Sequence, residues 1–144
     1  MPSYAPAQQA PLGRPGTVTA AAIMWIIYGG LSLLGNLLSL AGGRVGGSTL
    51  MGFGIATLFF AGGIQLLSGK ARSVLGLAIT SIVLGGLVLL LCVVAGSVIH
   101  ELHAAAGLLV VIGLVFGGYL IVAGILGCSG NAKYKQWRYN TGRG

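Results

Sequence analysis

Acidic side chains are almost missing from this chain: one Asp or Glu stands against eight Lys and Arg in 144 residues. Charge of either sign makes up only 6% of the sequence, where soluble domains carry roughly a quarter. The positions of the gaps matter more than the total. Lys, Arg, Asp and Glu are absent from Pro15 to Gly43, Val45 to Gly69, Ser73 to His100, and Leu102 to Ala132. A membrane-spanning helix needs about 20 mostly apolar residues at about 1.5 Å rise each, and all four windows exceed that. The runs do not alternate apolar with polar, which excludes the strands of a membrane β-barrel. Cysteine is also scarce. Cys92 and Cys128 fall at depths that differ by more than about 20 Å by helix rise, which excludes a disulfide between them.

What is present is apolar: 56% hydrophobic residues and a mean hydropathy of +0.96. The fold class is all-α, an integral membrane four-helix bundle. Its helices are expected over roughly Thr17–Ala41, Ser48–Ser68, Ser73–Ile99 and Ala104–Cys128. The short links between them force consecutive helices to lie antiparallel and adjacent. Residues 1–16 hold all four prolines and read as a flexible arm, with Thr17 or Thr19 as a candidate cap for the first helix. Residues 129–144 form a basic, aromatic tail. The first apolar stretch is too long for the roughly 7–15-residue core of a signal peptide, although Ser39-Leu40-Ala41 resembles a cleavage site.

Basic residues set the expected orientation. Arg14, Lys70, Arg72, Lys133, Lys135, Arg138 and Arg143 share one side of the four-span topology, and only Arg44 lies on the other. The positive-inside rule therefore predicts a cytoplasmic N-terminus, middle loop and C-terminus.

The chain also repeats itself. Ile23 to Leu34 (IMWIIYGGLSLL) aligns with Ile79 to Leu90 (ITSIVLGGLVLL), with seven identical positions. Ala61-Gly62 followed by Ser68-Gly69-Lys70-Ala71 is echoed by Ala123-Gly124 followed by Ser129-Gly130-Asn131-Ala132. This pattern is that of a duplicated two-helix hairpin. Glycine supplies 27 residues, many inside the helices, where small side chains let backbones approach. The expected packing positions are Gly52, Ala56 and Gly63, then Ser81 and Gly85, then Ala106, Gly113, Gly117 and Gly124. Packing within the bundle is the first reading of these positions; a stripe turned outward to dock another membrane subunit is the second.

Chemistry-bearing residues are few. No ionisable group lies deep in a span, which argues against a proton- or ion-coupled transporter. No nucleophilic, paired-carboxylate, P-loop or dinucleotide pattern occurs, so the sequence predicts neither an enzyme nor a cofactor, and it identifies no small-molecule substrate. His100 and His103 are three apart and form a candidate metal pair at the far side, but they lack further ligands in the chain and read first as a polar turn. Asn36, Thr57 and Gln65 are the polar groups an oligomeric channel would use. In the tail, Lys133, Tyr134, Lys135, Trp137, Arg138 and Tyr139 interleave charge and rings, which suits anionic headgroups or a partner surface. The tail is too short to favour nucleic acid.

The Pro-rich start, RPGTVTAAAIMWIIYGGL, the central SGKAR turn and the basic-aromatic end together resemble a loose group of small bacterial four-span proteins. Those proteins are largely uncharacterised and have no known active site to carry over. The resemblance implies a bacterial cytoplasmic (inner) membrane. By elimination, the sequence points to interaction: an accessory membrane subunit, with lipids and other membrane proteins or further copies of itself as partners.

Overall fold

The computed structural model describes residues 13–43, 46–98 and 103–142, and gives no side-chain account of residues 97, 98, 103–106 and 109. Its four helices are α1 Gly16–Ala41, α2 Gly47–Leu67, α3 Leu75–Val98 and α4 His103–Asn140. All four are long and apolar enough to cross a membrane. Among the described residues there is no strand. The arm before residue 13 and the His100 turn lie outside the described residues.

The start of α1 follows from Pro15, whose carbonyl accepts the Val18 and Thr19 amides at 3.1 Å each. Neither threonine caps through its side chain; the N-cap is Pro15, and the Thr19 hydroxyl donates to the Pro15 carbonyl instead. At its end α2 is closed by a reversed turn. Lys70 N–H donates to Gln65 O at 3.0 Å and Gly69 N–H to Leu66 O at 3.1 Å, with Gly69 at φ +73. That left-handed geometry favours glycine and satisfies the last carbonyls.

α1 packs along α2, α3 along α4, and the two hairpins join along α1 and α4. α3 also meets α1, through Trp25 and Ser81, and α2, through Leu77 against Gly62. The sequence repeat is present in the contacts. A Cβ on Gly63 would meet Ile26 Cγ1 at 2.7 Å and Ala22 O at 2.8 Å; one on Gly124 would meet Ile82 Cγ1 at 2.5 Å and Ala78 O at 2.7 Å. Gly29 lies equally tightly on Ala56 O and Phe60 N, and Gly85 on Gly117 O and Ile121 N. In every case the first-hairpin helix maps 56 residues on (Ile26 to Ile82) and the second helix 61 on (Gly63 to Gly124). The register thus pairs Gly62 with Ala123, one residue from the alignment of Ala61-Gly62 with Ala123-Gly124.

Ends of helices that bear Arg14, Lys70, Arg72, Lys133, Lys135 and Arg138 gather at one end of the bundle, the basic end. Burial is concentrated in that half. No described residue from Gly30 to Ile55, or from Gly86 to Ile112, is buried. The core consists of Val18, Ala21, Ala22 and Trp25 of α1, Phe59 and Leu66 of α2, Val74 just before α3, Ala78 of α3, and Leu120, Ala123, Tyr134 and Trp137 of α4.

Candidate functional site

The largest departure from expectation is the length of α4. It runs to Asn140 rather than stopping near Cys128, about 57 Å in all at about 1.5 Å per residue. Its apolar part needs only about 30 Å to span a bilayer core, so the last turns extend beyond the basic end. Ser129-Gly130-Asn131-Ala132 has the same form as Ser68-Gly69-Lys70-Ala71, yet the second stops a helix and the first does not. Tertiary contacts account for the difference. A Cβ on Gly130 would collide with Val18 Cγ2 and lie 2.5 Å from Thr17 Oγ1, so its bare backbone seats α1. One residue on, the Asn131 carboxamide oxygen accepts from the Ser73 hydroxyl at 3.2 Å and from Val74 N–H at 3.3 Å, holding the start of α3.

The extension then binds the other two segments of the basic end. Tyr134 is fully buried, and its hydroxyl donates to Ala71 O in the α2–α3 loop at 3.1 Å. Trp137 stacks on Tyr134, with ring centroids 5.7 Å apart. On its other side the Arg14 guanidinium sits 4.9 Å from the Trp137 ring centroid, within cation–π range. One helix therefore clamps the N-terminal segment and the middle loop. Tyr134 and Trp137, expected at lipid headgroups or a partner surface, are instead buried within the chain. The groups left facing outward are Lys133, Lys135 and Tyr139, together with Lys70 and Arg72 of the loop; Arg138 is half-buried. None of the segments forming this end contains an Asp or Glu, because the single acidic residue is Glu101.

The small residues expected at helix contacts, Ala106 apart, are spent inside the molecule. Gly52, Ala56 and Gly63 face α1, Ser81 and Gly85 face α4, and Gly113, Gly117 and Gly124 face α3. The side chain of Ala106 lies outside the described residues, as do those of His100 and His103. Ser81 does more than fill space. Its hydroxyl donates to Leu120 O at 2.6 Å and accepts the Trp25 indole N–H at 3.1 Å. Trp25 and Ser81 occupy equivalent positions of the repeat, so the two hairpins are joined through a pair of repeat mates. A second bond between hairpins runs from the Tyr119 hydroxyl to Met24 O at 3.0 Å. In lipid such bonds are worth about 0.6–2 kcal/mol each.

Asn36, Thr57 and Gln65 do not converge. Thr57 and Gln65 are exposed on α2, and Asn36 is half-buried between α1 and α2, with its amide against Gly52. Sequence reasoning missed the roles of Trp25, Tyr119 and Arg14, and for Trp25 the signal was there: it is the repeat position where an indole replaces a hydroxyl. No protein family model matches this chain, and neither do any of the curated proteins or solved structures compared with it.

Proposed function

We propose that this chain is a non-catalytic, multi-pass subunit of a bacterial cytoplasmic membrane that packs against and stabilises a larger membrane complex. Both termini and the α2–α3 loop lie in the cytoplasm in this reading, following the distribution of basic residues. The observation that carries it is the basic end. Three separate stretches of chain are fixed by Tyr134, Trp137 and Asn131 into one surface whose cations have no side-chain carboxylate among them. Its exposed cations Lys70, Arg72, Lys133 and Lys135 suit anionic headgroups or an acidic partner face. Each exposed cation contributes about 1 kcal/mol near an anionic membrane. Because the tightest glycine contacts are used within the molecule, lateral contact with other subunits falls on the outward leucine, isoleucine and valine faces and on open glycines such as Gly54 and Gly86.

Extraction in mild detergent followed by size analysis and identification of co-purifying chains tests the proposal. The expected result is a defined heteromeric species that loses its partner when Lys133 and Lys135 are changed to Gln. Recovery only as a free monomer, in native membrane extracts at low salt, overturns it.

A further inference from the structure

The two hairpins share their packing but not their polarity. Along one face of α1 run Tyr28, Ser32, Asn36 and Ser39, and with Gly52 and Ile55 of α2 they line a groove of about 440 Å³. At the equivalent positions of α3 stand Leu84, Val88, Cys92 and Ala95. The scaffold is the same: Asn36 lies against Gly52 as Cys92 lies against Gly113. Only the first hairpin has hydrogen-bonding groups there. Among the described residues the Ser32 hydroxyl and the Asn36 amide find no partner within the chain, and Ser39 uses only its donor, on Gly35 O at 3.1 Å.

Depth makes this unusual. Asn36 sits about 11 Å from the midpoint of α1 toward the distal end, and Ser39 about 16 Å, by helix rise. A row of amide and hydroxyl groups running from the bilayer centre to the interface costs free energy unless it is hydrogen-bonded. Among the described residues the groove's lining carries no charge, its walls include Ile55 and Ala56, and its volume is within the range of small-molecule sites. We propose that it binds an uncharged bilayer amphiphile, a lipid whose hydroxyl and ester groups bond Ser32, Asn36 and Ser39 while its chains lie along Ile55 and the neighbouring exposed leucines. Among the described residues a charged headgroup has no counter-ion in this groove, and a purely apolar chain leaves the amides and hydroxyls unsatisfied.

Photocapture tests this on the full chain, reconstituted in phosphatidylcholine vesicles that contain a photoactivatable diacylglycerol. Adducts are expected between Tyr28 and Ile55, and excess unlabelled diacylglycerol, but not phosphatidylglycerol, is expected to suppress them. The variant Ser32→Val with Asn36→Cys carries the residue types that the second hairpin has at these positions, and under reducing conditions it is expected to capture about tenfold less. Adducts spread evenly over the exposed faces of all four helices overturn the proposal, as does equal competition by phosphatidylglycerol. The competition arm uses the unsubstituted chain, so the outcome does not depend on the variant folding.

Discussion

The first and second hairpins are the same construction with two different fillings. Where backbone meets backbone, they match atom for atom: Gly63 on Ala22 and Ile26, Gly124 on Ala78 and Ile82. Where side chains face the space between hairpins, they diverge, with Trp25 opposite its own counterpart Ser81 and Leu66 standing where α4 has Gly127. The divergence fits the close pairing of α1 with α4. Gly127 lets α1 approach α4 so closely that an added Cβ would lie 2.8 Å from Trp25 Cη2. Leu66 fills the equivalent position of α2 with a buried side chain, and α2 meets α3 where a Cβ on Gly62 would lie 3.0 Å from Leu77 Cδ1. The repeat thus gives both hairpins the same internal packing, and exchanges such as Trp25 against Ser81 set apart the faces where they meet.

The strongest way to break this relation is at Trp25, which is fully buried at the junction. Trp25→Ala is expected to cost about 3–5 kcal/mol, and to leave each hairpin helical while the two separate. Circular dichroism in detergent against cross-linking of α1 to α4 reads the two effects apart. Next in size are the repeat mates Gly63→Val and Gly124→Val, each expected to destabilise by about 1–3 kcal/mol through overpacking. Their effects on denaturant unfolding should be alike if the hairpins are equivalent, and a large inequality shows which hairpin holds the fold. Tyr134→Phe removes the bond to Ala71 and is expected to cost about 1 kcal/mol, read as faster protease cleavage in the α2–α3 loop. At the small end, a Cβ on Gly54 meets nothing within 4 Å. Gly54→Ala should raise stability by up to about 1 kcal/mol, the opposite sign to Gly63 only nine residues away.

Much of this was legible in the chain. Two helix ends fall within two residues of the expected ones, at Ala41 and Leu67, because a charge-free apolar run is bounded by the charges that end it. The repeat was legible too, since Gly-Gly-Leu steps and Ser-Gly-X-Ala turns survive in both halves. The length of α4 was not. Ser129-Gly130-Asn131 has the composition of a helix end, and only burial of Tyr134 and Trp137 against distant segments keeps the chain helical through it. The groove on α1 was half visible. Asn36 stands out in an apolar helix, but its row with Tyr28, Ser32 and Ser39 acquires meaning once Gly52 is known to lie opposite.

The clamp at the basic end also bears on the order in which the protein is made. Arg14 and Ala71 emerge from the ribosome long before Tyr134 and Trp137, their partners in the finished fold. Until those last turns are synthesised, the start of α1 and the loop before α3 lack the contacts that fix them. Both hairpins can insert and pair along their glycines in the meantime. Fixing of this end therefore waits until Tyr134 and Trp137 have been made, and a chain cut short at Cys128 would carry every span yet leave its early segments without that lock.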